Sequence, residues 1–368
     1  MKKVLSIMLA VLLVAVMAVP AFAANPSFTG TTVTFKKDLV LPNHSQYTVI
    51  PTLTFKYTIT AGEEVAGDET HQQVNAGIGT PTVSDAVFRA ATGTTTTQNV
   101  AIDFNGITFP HPGVYRYILT EDFQTNSEAG VEGALTYDRN SYLVDVRVTG
   151  DTTYQITNAI MYKLQKDDQG AIVIPEIILN ANKTEARYAN IENKVDTITN
   201  KYDINHLKVT KTIAGPNANK ADKFEFVINL ANGPKNTTTK YDLDGTVYDV
   251  AFNGEGTASV TVQLGDSSTI EFYSLPIGTT YTVKENLTSV QKGQYKIAIN
   301  DAASENGETS GTISNTASDV SYKNTAGTIT PTGLFLTYGP YVLLVIVAIA
   351  LAIVFMRKRN NRLVDEIA

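Results

Sequence analysis

Lysine, glutamate and asparagine recur twice along this sequence, in the same order and in strand-like settings. The first lysine lies in Val33-x-Phe35-x-Lys37-x-Leu39 and the second in Leu207-x-Val209-x-Lys211-x-Ile213. Side chains two apart share a face of a β-strand, so each lysine points with the apolar residues into a core. Lys36 adjoins Lys37, but the alternation gives the inward position to Lys37. Each glutamate closes a Tyr-x-aliphatic-x-Glu run after a Pro and a Gly: Tyr117 to Glu121, then Tyr281 to Glu285. Each asparagine follows a bulky residue and one spacer at a closing strand, Ile191-Glu192-Asn193 and Tyr322-Lys323-Asn324.

A buried ammonium and a buried carboxylate each cost several kcal/mol even after relaxation. Placing both in one core, twice, needs a reason. One is a buried ion pair with an asparagine as hydrogen-bond partner. The other is a reaction. Desolvation lowers the pKa of lysine and raises that of glutamate, so a neutral amine beside a protonated acid becomes accessible. The amine can attack the asparagine side-chain carbonyl. The acid hydrogen-bonds that carbonyl and carries the proton to departing ammonia. The product is a Lys–Asn isopeptide bond, formed once and without a cofactor, with no charge left on the lysine.

The elements that must hold these residues are β-strands. Period-two alternation appears at Thr32–Phe35, Thr52–Ile59, Val114–Glu121, Tyr142–Val148 and Ile191–Asn193, and long amphipathic helical periodicity is absent between the chain ends. Short strands separated by Gly, Asn and Pro turns predict an all-β protein of two tandem immunoglobulin-like sandwiches. The first is expected over residues 24–195 and the second over 206–326, with 196–205 as a linker between them.

Both chain ends read as processing signals. Lys2 and Lys3, the apolar run Val4 to Val19 and Ala21-Phe22-Ala23 form a secretion signal over residues 1–23. Residues 327–368 carry Pro331-Thr332-Gly333, an apolar segment over 334–356 long enough to span a bilayer, and the basic Arg357-Lys358-Arg359. A plain tail anchor would need only the last two parts. The tripeptide placed just before them makes the combination more specific.

Removing both ends leaves about 310 residues, enough for two ordinary domains. Cysteine is absent, so a secreted chain here cannot rely on disulfides. A net charge of −7 argues against nucleic acid as a partner. His44, His71, His111 and His206 are scattered without metal-ligand spacing, and Asp242-Leu243-Asp244-Gly245 is too short for a calcium loop, so no metal is expected. Gly265-Asp266-Ser267-Ser268 lacks a nucleophile elbow and reads as a turn.

Taken together, the chain resembles the major pilins of streptococcal sortase-assembled pili. Ile107-Thr108-Phe109, Pro112-Gly113-Val114-Tyr115, Thr120-Glu121, Tyr137-Asp138 and Tyr142 to Val146 resemble the pilin isopeptide-linker domain. Leu207 to Lys211, Leu275-Pro276-x-Gly278-x-x-Tyr281-x-Val283-x-Glu285 and Asn324 resemble a collagen-adhesin B-type domain. The resemblance implies two triads, Lys37–Glu121–Asn193 and Lys211–Glu285–Asn324, with Glu121 and Glu285 as the catalytic acids. It implies that a sortase cleaves the Thr332–Gly333 bond, although this motif lacks the residue that usually separates Pro from Thr. It implies a wall-anchored structural subunit rather than an enzyme, with sortase, neighbouring subunits and peptidoglycan as partners. Such a subunit also needs a lysine that accepts the next subunit. Lys183 is the candidate, with Lys163 and Lys166 behind it. The alternative is a wall-anchored adhesin or accessory pilin that binds a host surface ligand.

Overall fold

The computed structural model describes residues 25–123, 126–166, 169, 172–179, 186–188, 193–327 and 331–365. The expected secretion signal, Ile191, Glu192 and Lys183 lie outside these. The described chain forms two β-sandwiches followed by one long helix, an all-β architecture with an apolar C-terminal segment.

In the first sandwich the opening strand Thr32–Val40 lies between Thr95–Asp103 and a closing strand, Thr197–Tyr202. The facing sheet centres on Gly113–Asp122, which carries Glu121, flanked by Leu53–Ala61 and Ser141–Thr149. Alternation decides the packing. Val33, Phe35, Lys37 and Leu39 are buried while Lys36 is exposed and pairs with Asp196 at 3.1 Å. Tyr115, Tyr117, Leu119 and Glu121 take the inward positions of their strand.

The outer face of that second sheet is also covered. Val74, Val114, Leu143, Tyr162, Leu164 and Ile177 form a small core of their own there. Arg116 and Asp145 face each other across two neighbouring strands of the same sheet. The guanidinium donates from Nε and Nη2 to the carboxylate oxygens at 2.9 and 2.7 Å, and both side chains are buried. A bidentate pair of this kind is among the stronger charge-assisted contacts.

The segment expected to link the domains is a strand instead. Thr197–Tyr202 runs parallel to the opening strand, from Thr197↔Lys36 to Lys201↔Val40. Its alternation is regular: Ile198, Asn200 and Tyr202 are buried, and the threonines and Lys201 between them are not. High Thr, Asn and Lys content gives it the look of a linker, while its inward face completes the core. Only Asp203 separates it from Ile204–Ala214, the opening strand of the second sandwich. The two sandwiches abut: the Val49 amide donates to Ser274 Oγ at 3.1 Å, and the Lys235 amide to the Ala129 carbonyl at 2.9 Å.

In the second sandwich Ile204–Ala214 lies between Thr269–Pro276 and the closing strand Ser318–Ala326, again parallel to the opening strand. The facing sheet holds Thr280–Asn286, which carries Glu285, beside Phe224–Ala231. The C-terminal helix Pro331–Asp365 begins with Pro331, Thr332 and Gly333. Its stretch Gly339–Met356, with a mean hydropathy of 2.7, is long and apolar enough to cross a membrane.

Candidate functional site

In each sandwich the opening and closing strands are parallel neighbours, and this sets the geometry of the site. Lys37 stands opposite Ile198, and Asn200 lies two residues further along the closing strand. Lys211 stands opposite Tyr322, and Asn324 again lies two residues further. Two steps along a strand return to the same face, so lysine and asparagine project together into the core. The glutamate reaches them from the facing sheet.

In the first site Lys37 Nζ donates to Glu121 Oε2 at 2.5 Å, and Asn200 Nδ2 donates to Glu121 Oε1. The two carboxyl oxygens thus divide the partners between them. The Asp138 amide donates to Asn200 Oδ1 at 2.7 Å. In the second site Lys211 Nζ and Asn324 Nδ2 both donate to Glu285 Oε1, at 2.8 and 2.6 Å. Glu285 Oε2 and Asn324 Oδ1 are buried and have no hydrogen-bond partner among the described residues.

The surroundings are apolar in both cases. Lys37 Nζ lies 5.0 Å from the centre of the Phe55 ring, and Lys211 Nζ lies 4.4 Å from that of Phe224. Burial is the main cause of the electrostatic shifts. It pulls Lys37 and Lys211 each down to about 8, against the opposing attraction of Glu121 and Glu285. It also pushes both glutamates above the ordinary carboxylate value, although their lysines oppose this. Amine and acid therefore shift towards each other, and the neutral pair is brought within reach.

The structure brings together Lys37 with Glu121, and Lys211 with Glu285 and Asn324. It does not bring Asn193 to the first site. Asn193 donates to the Tyr162 hydroxyl at 3.2 Å and accepts from Gln165 Nε2 at 3.3 Å. Tyr162 belongs to the small outer core, so the sheet that carries Glu121 separates Asn193 from Lys37. Asn200 takes the place expected of Asn193. The signal was present in the sequence, since Ile198-Thr199-Asn200 has the same bulky-x-Asn form as Tyr322-Lys323-Asn324.

Of the candidate acceptor lysines, Lys163 ends the strand Gln155–Lys163 and Lys166 is exposed just beyond it. The two motifs set aside earlier serve as turns. Asp242 Oδ1 accepts from the Gly245 amide at 2.8 Å, and Asp266 Oδ1 accepts from the Ile213 amide at 2.7 Å.

By fold and by site, this is a tandem β-sandwich protein with a buried Lys–Glu–Asn cluster in each sandwich. Comparison with known proteins extends that class: residues 33–202 match the Spy0128-like isopeptide containing domain. Residues 205–326 match a domain of unknown function, DUF7601. The chain is 26% identical over 363 residues to a pilin of Streptococcus pyogenes serotype M1, covering 92% of this chain and 97% of that protein. It shares its fold with the crystal structure of the major pilin from Streptococcus pyogenes, at a TM-score of 0.52 and 19% identity over 82% of this chain and 100% of that one. The major pilin protein T3.2 of the same species gives a TM-score of 0.50 at 18% identity, over 82% of this chain and 100% of that one. The resemblance to streptococcal major pilins thus runs along nearly the whole chain.

Proposed function

We propose that this protein is the structural subunit of a covalently polymerised, wall-anchored pilus, and that each sandwich is closed by an intramolecular isopeptide bond. The observation that carries the reading is the repetition of one geometry. A buried lysine and a buried asparagine, offset by two residues on parallel neighbouring strands, meet a buried glutamate in both domains. An ion pair alone would need no asparagine at a fixed offset.

The reaction joins Lys37 to Asn200 and Lys211 to Asn324. The neutral lysine amine attacks the asparagine Cγ, so the Nζ–Cγ bond forms as the Cγ–Nδ2 bond breaks. In the first site Glu121 faces the amine with Oε2 and the departing nitrogen with Oε1. Its acid proton passes from Oε1 to Nδ2, and Oε2 takes a proton from Nζ. Ammonia leaves and the acid ends as it began, once protonated. In the second site Glu285 relays the proton through Oε1 alone, which faces both nitrogens: it gives its proton to Asn324 Nδ2 and takes one from Lys211 Nζ.

Parallel opening and closing strands also suit a fibre subunit. Tension enters at one strand and leaves at its neighbour, and a bond between them carries the load while most of the domain lies inside a covalent loop. This suits a Cys-free extracellular chain. At the C-terminus, the Pro331-Thr332-Gly333 sequence before an apolar helix supports cleavage after Thr332 by a sortase, with transfer of Thr332 to a lysine of a neighbouring subunit and finally to peptidoglycan. Lys183 is the proposed acceptor, followed by Lys163 and Lys166.

The test uses a strain carrying the cognate sortase. Wild-type protein should give a ladder of covalent multimers that survives boiling in detergent, Thr332→Ala should abolish it, and Lys183→Arg should abolish it if the acceptor is correct. Wild-type protein found only as single wall-linked subunits would replace the pilus reading with the adhesin reading.

A further inference from the structure

The two sites differ at the atom where negative charge develops. When an amine adds to the asparagine carbonyl, Oδ1 becomes an oxyanion, and a donor aimed at that atom lowers the barrier. In the first site the Asp138 amide donates to Asn200 Oδ1 at 2.7 Å. In the second, Asn324 Oδ1 is buried with no partner among the described residues. We infer that the backbone N–H of Asp138 is a catalytic oxyanion donor for the first-domain bond, and that the second domain forms its bond without an equivalent donor.

The topology supplies the reason. In the first domain the closing strand is bordered by a strand of only two residues, Leu135–Thr136, paired with Tyr202 and Lys201. The chain then leaves the ladder, and the Asp138 amide is free to turn towards Asn200. In the second domain the bordering strand Tyr295–Ile299 stays paired along its length, from Tyr295↔Ala326 to Ile299↔Tyr322. Ile297 stands opposite Asn324 within that ladder, so the position that would supply the donor remains part of the sheet.

The Asp138 amide is also held in place. The Asp138 carboxylate accepts from the Asn140 amide at 2.8 Å, from Asn140 Nδ2 at 2.6 Å and from the Tyr142 hydroxyl at 2.7 Å. Tyr142 is itself buried in the core. This clasp fixes the bend that aims the N–H. A donor on Asn200 Oδ1 also fixes which way the amide faces: its nitrogen must turn to Glu121 Oε1, where the leaving group collects its proton. One backbone group therefore orients the electrophile and stabilises the charge formed on it.

This inference rests on the isopeptide reading, and the second bond in the same chain serves as its internal control. The experiment refolds the ectodomain and follows each crosslinked peptide separately over time by mass spectrometry. Asp138→Pro removes the N–H. First-domain bond formation should slow by about 10²–10³-fold, the range seen when one oxyanion donor is removed, while the second bond keeps its wild-type rate. Asp138→Asn keeps both the N–H and an acceptor for the clasp, and should retain near wild-type rates at both sites. Asp138→Ala releases the clasp without adding a ring and should slow the first bond alone. Replacing the 137–138 peptide amide by an ester removes the N–H without adding a ring and decides the matter if the proline variant does not fold. An unchanged first-domain rate in the folded proline variant, or in the ester variant, overturns the inference. Absence of both bonds from wild-type protein would instead overturn the isopeptide reading itself.

Discussion

Replacing Lys211 with Met should remove the second-domain bond while leaving a side chain of similar length against Phe224 and Phe226, which now surround the amine. The size of the effect follows from the loop that the bond closes. Lys211 and Asn324 enclose roughly 110 residues, and a crosslink over a loop of about 100 residues removes chain entropy worth about 5 kcal/mol at 25 °C. For a domain of this size each kcal/mol moves the midpoint by about 3–6 °C, so the second-domain transition should fall by roughly 15–30 °C. Differential scanning calorimetry of the ectodomain measures this, and intact mass on the same sample counts the remaining bonds. The variant should show one ammonia lost instead of two. A transition within a few degrees of wild type, with wild-type protein shown to carry the bond, would refute the claim that the crosslink stabilises by closing the loop.

Glu121→Ala and Glu285→Ala should each abolish only their own domain's bond, because the cores are separate; peptide mapping that finds both crosslinks in either variant contradicts the assigned role. Asn324→Ala should leave Lys211 as a free buried amine, held down to about 8 from 10.5 by burial. Between those pH values the unfolded chain binds more protons than the folded one, so the variant should gain stability as pH rises from 8 to 10.5. With the proposed bond formed, the Lys211 nitrogen of wild-type protein is an amide, so wild-type protein should lack that rise, and denaturant titrations across this window that run parallel for the two proteins would contradict it. Asp145→Ala should leave Arg116 buried without its carboxylate and destabilise the first domain by about 3–5 kcal/mol. Both bonds should still form in that variant, so an undiminished first-domain transition would count against the structural role of the pair.

Strand alternation made the lysines and glutamates legible, because an inward charge among Val, Phe and Leu stands out against its neighbours. The second asparagine was equally visible at the end of Tyr322-Lys323-Asn324. The first was misplaced by seven residues because two bulky-x-Asn runs lie close together, at Ile191 and at Ile198. What separates them is pairing: Thr197–Tyr202 runs parallel to the opening strand, while Asn193 contacts the outer core. Local sequence does not record which strand is a neighbour. Tyr137-Asp138 is among the residues that carry the family resemblance, but the donor role of Asp138 was not legible, since any residue but proline carries a backbone N–H. Arg116 occupies a position that alternation assigns to solvent, and only the outer core that covers this face makes it a buried partner for Asp145.

The central claim is that both clusters react. Intact mass of the folded mature ectodomain tests it most directly. Two Lys–Asn bonds should lower the mass by two ammonia molecules relative to the sequence, with peptide mapping placing the crosslinks at Lys37–Asn200 and Lys211–Asn324. A well-folded protein with the full sequence mass would show that the clusters are buried ion pairs and contradict the account.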